Sequence, residues 1–132
     1  MKTSPYVKLY NRKRTWTPVQ PTAGKLREGA EEAIRRALAI RHMELPVGEF
    51  IKEGLEKDVP QDARTLLESN VQDEIKHDLA LGYIVDALGA DENAEKEGKL
   101  LRDAWISHPD HTITKALVAE RAIFFVLLPF FR

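Results

Sequence analysis

The chain has no cysteine, which excludes disulfides, thiolate metal sites and cysteine nucleophiles together. It has almost no net charge, −1 from 20 basic and 21 acidic side chains, so nothing in its overall balance favours a polyanionic partner. Long hydrophobic runs are lacking too. The longest, Ala122 to Phe131, is about half of what a membrane-spanning helix needs, and the opening MKTSPYVKLYNRKRTW holds no apolar core of signal-peptide length. These absences predict a soluble, cytoplasmic protein that engages neither membrane nor nucleic acid. Sustained strand alternation and internal repeats are missing as well, and the fold class they leave is all-α.

What is present is enough for one domain: 132 residues, 43% of them hydrophobic, can bury a real core. Charge is unevenly spread. Residues 1–27 carry Lys2, Lys8, Arg12, Lys13, Arg14, Lys25 and Arg27 and no acid, which leaves a body with thirteen basic and twenty-one acidic side chains. Pro5, Pro18 and Pro21 interrupt residues 1–23, where neither periodicity holds. That segment reads as an extended basic arm lying on the body or on a neighbouring chain. Its cluster from Arg12 to Arg14, with Tyr10 and Trp16 nearby, suits a solvated arm better than a nucleic-acid contact.

Residues 24–132 read as a helical bundle. From Gly24 to Asp58 one apolar stripe persists through Leu26, Ala30, Ala33, Ala37, Ile40, Glu44, Val47, Ile51 and Leu55, predicting a helix kinked at Pro46 or broken there into two. Pro60 opens a second helix that runs to Leu88, with Leu67, Val71, Glu74, His77, Leu81 and Val85 on its stripe. After Gly89, Asp91 caps a third helix over about Glu92 to Ile106, and a fourth begins near His111 or Thr112. Its stripe is Ile113, Ala116, Leu117, Glu120, Ile123, Phe124, Leu127 and Phe131.

Three acids and a histidine therefore sit on faces that should be buried, where a charge is costly unless something pairs with it. Glu74 and His77, three apart on a helix, project from one side and can bind the same ion. Glu120 is the only acid between Thr112 and Arg132. Glu44 and Glu74 each lie about fourteen residues from the connection at 58–60, so antiparallel packing brings them level; Glu31 is the alternative ligand from the first helix. The competing explanation pairs these acids with Arg41 or Arg121 in buried salt bridges. His42 falls off the stripe and reads as a rim residue, His108 and His111 as cap and loop residues, and Asp73 and Asp78 as surface acids with a lesser claim to orient the imidazole.

The order Glu44, then Glu74-x-x-His77, then Glu120, each on its own helix, resembles the ferritin-like di-iron carboxylate superfamily. Asp73-Glu74-Ile75-Lys76-His77 is similar to the D-E-x-x-H form of its motif, and Glu120 followed by Ile123-Phe124-Phe125 is similar to the matching helix of ribonucleotide reductase small subunits. The resemblance implies a ferritin-like antiparallel helical bundle that holds iron or manganese. Glu44 would be a terminal ligand, Glu74 and Glu120 bridging carboxylates and His77 the imidazole ligand. It implies an O2-activating oxidoreductase acting on a small-molecule substrate whose identity is not readable, or an iron storage protein.

Two positions depart from that pattern. A second Glu-x-x-His should follow Glu120 on a further helix, and Leu81 stands where a radical tyrosine would fall. The ligand set is incomplete, and the apolar ending Phe124 to Phe131 calls for cover. The expectation is a truncated frame that forms a homodimer. A metal-free helical interaction protein is the alternative from another class.

Overall fold

A computed structural model describes residues 3–22 and 25–124, and all regular structure among them is helical. Helix α1 spans Pro5–Arg12 and α2 spans Ala30–Ala37; a 3-10 helix over Leu38–Met43 leads into α3, Glu44–Leu55. Then come α4, Gln61–Leu88, α5, Glu92–Ser107, and α6, Thr112–Val118, which passes into a π-helical turn at Ala119–Ile123. The expected apolar continuation to Phe131 lies outside the described residues.

The ends of α4 and α5 follow the sequence signals. Gly89 leaves α4 at φ 79°, a backbone region open to glycine at little cost, while its N–H still donates to the Val85 carbonyl at 2.7 Å. Asp91 Oδ1 then accepts from the Ala94 N–H at 2.8 Å and starts α5.

The first long helix differs from expectation, because the break comes before Pro46. The 3-10 helix winds at about three residues per turn. Its buried Leu38, Ala39 and Met43 face inward, and Arg41 and His42 both reach Glu95 on α5. Pro46 falls in the first turn of α3, where a missing N–H forfeits no intrahelical bond, so it opens a helix instead of kinking one.

The arm also differs. Residues Pro5–Arg12 are helical, with Ser4 Oγ accepting from the Tyr6 N–H at 3.2 Å and Pro5 at the first helical position. Helix α1 packs along α4, and the chain beyond it is tied there by Lys13.

Helix α3 forms the middle of the core, between α4 and α6. Its Val47, Phe50, Ile51 and Leu55 meet Val71 of α4 and Ala116 and Ala119 of the last helix, with Leu67, Trp105, Ile123 and Phe124 packed around them. Gly48 lies against Glu74 and Glu44 against His77, so α3 and α4 run antiparallel. A Cβ on Gly98 would stand only 2.7 Å from the Ala39 carbonyl oxygen, which sets how closely α5 can dock on the 3-10 segment. Lys115, 7% exposed, closes the other end of α5 by donating to the carbonyls of Ile106 and His108, each at 3.1 Å. No helix among the described residues is long and apolar enough to cross a membrane.

Candidate metal centre

Glu44 is the first residue of α3, and Glu74 and His77 sit at mid-length in α4. Antiparallel pairing brings them level, as their equal distance from the intervening turn predicts. One ligand atom from each lies within 4.8 Å of the others. His77 Nδ1 is 3.5 Å from Glu44 Oε2 and 3.6 Å from Glu74 Oε2. Those separations are long for direct hydrogen bonds but close to the roughly 3–3.5 Å between neighbouring donors on one ion with bonds near 2.1 Å.

Burial sharpens the point. Glu44 is 5% exposed and Glu74 2% exposed, and the Oε2 atom of each is buried without a hydrogen-bond partner. An orphaned carboxylate oxygen in the interior costs free energy, and here two are turned towards the same imidazole. Gly48 of α3 packs against the Glu74 stem, where a Cβ would lie 3.5 Å from Glu74 Cβ in ordinary contact.

Glu120 enters from the other side, on the π-helical turn at Ala119–Ile123. Turns of this kind interrupt α-helices frequently at functional sites. Glu120 is close enough to Glu74 to perturb its ionisation, although it falls outside the tight group formed by Glu44, Glu74 and His77. All four line one cavity of about 740 Å³, whose apolar walls include Ile51, Leu67, Leu81, Ile113 and Phe124.

The electrostatics follow from this crowding. Burial first, and then the neighbouring Glu44, raise the Glu74 pKa, although His77 and Glu120 pull it down. Glu120 is pushed up to about 7, by burial first and then by the neighbouring Glu74 carboxylate. His77 is raised to about 10, by the Glu44 carboxylate first and the Glu74 carboxylate next, against the opposing effect of its own partial burial. Without a metal the group is a proton-holding cluster, with an imidazolium facing two acids.

The arginine explanation does not describe this arrangement. Arg41 forms its ion pair with Glu95. Among the described residues no arginine or lysine makes an ion pair with Glu44, Glu74 or Glu120, and Arg121 acts on Glu120 only through its charge. Glu31 is far from ligation as well, paired at the surface with Arg35. His42 is more enclosed than its off-stripe position suggests, with Nε2 2.7 Å from Glu95 Oε2. His111 does act as a cap, its Nδ1 accepting from the Ile113 N–H at 3.3 Å.

Sequence reasoning missed two arm residues at the site. Lys13 Nζ donates to Ser69 Oγ at 2.8 Å and Asn70 Oδ1 at 2.6 Å and pairs with Asp73 at 2.5 Å. Trp16 stacks on the His77 ring with centroids 5.4 Å apart. Neither residue stands out in the sequence, because the arm also carries Tyr6, Val7, Leu9, Tyr10 and Val19 among its charges.

No protein-family model matches the chain, and no curated protein or solved structure does either. The likeness to di-iron carboxylate proteins therefore rests on the ligand pattern. What is established is an all-helical protein with a buried Glu44, Glu74 and His77 cluster capable of holding a metal ion.

Proposed function

We propose that this protein binds divalent iron or manganese at Glu44, Glu74 and His77, with Glu120 as a further carboxylate, and acts as an O2-activating oxidoreductase of ferritin-like kind. The observation that carries the reading is the pair of buried, unpartnered oxygens, Glu44 Oε2 and Glu74 Oε2, set around one imidazole nitrogen. A cation in that position would give both oxygens a partner and neutralise two buried charges. Carboxylate oxygens with one imidazole suit iron, manganese or zinc over copper(I). The order of Glu, Glu-x-x-His and Glu along the chain favours the first two.

Bound iron or manganese would supply the one-electron chemistry that side chains lack. The chain's own residues would do the rest. Glu44, Glu74 and His77 would hold the ion, and Glu120, which lines the same cavity, would be a further carboxylate beside it. In the metal-free protein burial and Glu74 hold the Glu120 carboxyl up to about 7, so an ion taken up near neutrality would displace its proton. The cavity admits a small organic substrate.

Anaerobic calorimetric titration with ferrous and manganous ions at neutral pH tests the reading. Binding by the unmodified protein that is abolished in Glu44→Ala and Glu74→Ala supports it, and no heat of binding with either metal refutes it. Oxygen consumption by the iron-loaded protein then tests the oxidoreductase assignment separately.

One observation favours the metal-free alternative. An imidazolium with a pKa near 10 counters the two carboxylates by itself, so the cluster can persist as an internal ion group in a scaffold protein. The same titration separates the two readings. A homodimer is the proposed assembly, supported by apolar side chains left in solvent such as Leu100 (69% exposed) and Leu117 (57%). Sedimentation would distinguish it from the large shell of an iron store.

A further inference from the structure

The arm does more than lie against α4. Lys13 reaches Ser69, Asn70 and Asp73, and three residues later Trp16 covers His77 while the Lys76 ammonium lies 5.6 Å from the Trp16 ring centroid. The two contacts advance in step. Asp73 to His77 is about 6 Å of helix rise, and three residues of extended chain span up to about 10 Å, so anchoring Lys13 delivers Trp16 to the next turn of α4.

His77 needs such a support. Its side chain is 43% exposed, unlike the 6% and 3% of Glu44 and Glu74, and its two carboxylate neighbours stand at 3.5 and 3.6 Å. Nothing in that geometry fixes the plane of the ring. The face of Trp16, tilted 25° from it, does.

We infer that residues Lys13 to Trp16 form a strap in which Trp16 is a positioning residue for the metal centre, holding the His77 imidazole aimed at Glu44 and Glu74 and slowing loss of the bound ion. This rests on the metal-binding reading of the preceding subsection. Trp16 is not a ligand. It acts by removing the rotational freedom the imidazole would otherwise surrender on binding, and by covering the solvent side of the site.

The full-length protein loaded with cobalt(II) tests this, with the metal alone as probe and a chelator chase to measure release. The chain has only two tryptophans, so Trp105→Phe leaves Trp16 as the sole reporter. Its emission should fall as cobalt(II) binds beside it. Trp16→Ala should release the ion about three- to ten-fold faster with an almost unchanged association rate, as expected for loss of one aromatic stack. Trp16→Phe should restore most of the difference, and Lys13→Ala, which frees the strap without removing a ligand, should shift release in the same direction as Trp16→Ala.

Release rates unchanged in both Trp16→Ala and Lys13→Ala, with cobalt(II) still bound, would overturn the strap and leave the metal site standing. No cobalt(II) uptake by the unmodified protein would overturn the site reading and the strap with it.

Discussion

Replacing Glu74 by glutamine should move stability in opposite directions with and without metal. The side chain is 2% exposed, its Oε2 has no partner, and burial raises its pKa, so the ionised form is held at a cost. An unsatisfied buried polar group costs about 1–3 kcal/mol. Glutamine keeps the shape packed against Gly48 while removing the charge, so the metal-free variant should gain about 1 kcal/mol, the low end of that range because part of the His77 attraction is also lost. For a domain of this size that corresponds to a Tm about 4 °C higher.

Metal reverses the sign. At a free concentration one hundred times Kd, a bound ion stabilises by about 2.7 kcal/mol, or roughly 10 °C, and a glutamine in place of the central carboxylate forfeits most of it. Thermal unfolding at pH 8, in chelator and then in excess manganese(II), measures both arms on one sample. A Glu74→Gln protein that melts lower than the wild type in chelator and gains as much from manganese(II) would refute the reasoning, because Glu74 would then be an ordinary structural residue.

The metal-free protein should have a stability maximum on the acid side of neutrality. Glu95 is held down to about 2, by Arg41 first and His42 after it, so its contribution is present above the usual carboxylate range and lost as pH falls through 2. Glu120, raised to about 7, and His77, raised to about 10, both bind their protons more tightly in the folded state. Their contributions are complete below about 4.5 and 6.5 respectively and vanish as pH rises through 7 and then 10, so denaturant titrations should show stability falling from pH 5 to pH 10. Saturating metal should flatten or invert that slope, since the ion takes the place of the His77 proton. Gly98→Ala should destabilise by about 1–3 kcal/mol through the clash with the Ala39 carbonyl while leaving metal affinity unchanged, as checked by chemical unfolding alongside calorimetry.

The parts of this structure that could be read in advance are those where local chemistry and periodicity agree. Pro60, Gly89 and Asp91 mark real helix ends, and the phase of Glu44, Glu74 and His77, together with the turn between their helices, places them at one level. The 3-10 segment could not be read this way. Its residues stay near the phase of the apolar stripe, and what selects the tighter winding is a tertiary contact, Arg41 and His42 closing on Glu95 some fifty residues away. The π turn at Glu120 is equally silent, because one inserted residue barely disturbs a hydrophobic pattern. The helix at Pro5–Arg12 is signalled by Ser4, Pro5 and a short apolar face of Tyr6, Leu9 and Tyr10, but two turns are too few for periodicity to decide, and α1 buries none of its residues. Trp16 meets His77 through an irregular segment, where periodicity carries no information.

The most direct test of the central claim is anomalous diffraction from crystals grown with manganese(II), recorded at the manganese edge. The account predicts a peak bonded to Glu44, Glu74 and His77, with both formerly orphaned Oε2 atoms among its ligands. A protein that crystallises with these side chains ordered and no anomalous peak between them, or with the ion bound elsewhere, would contradict it.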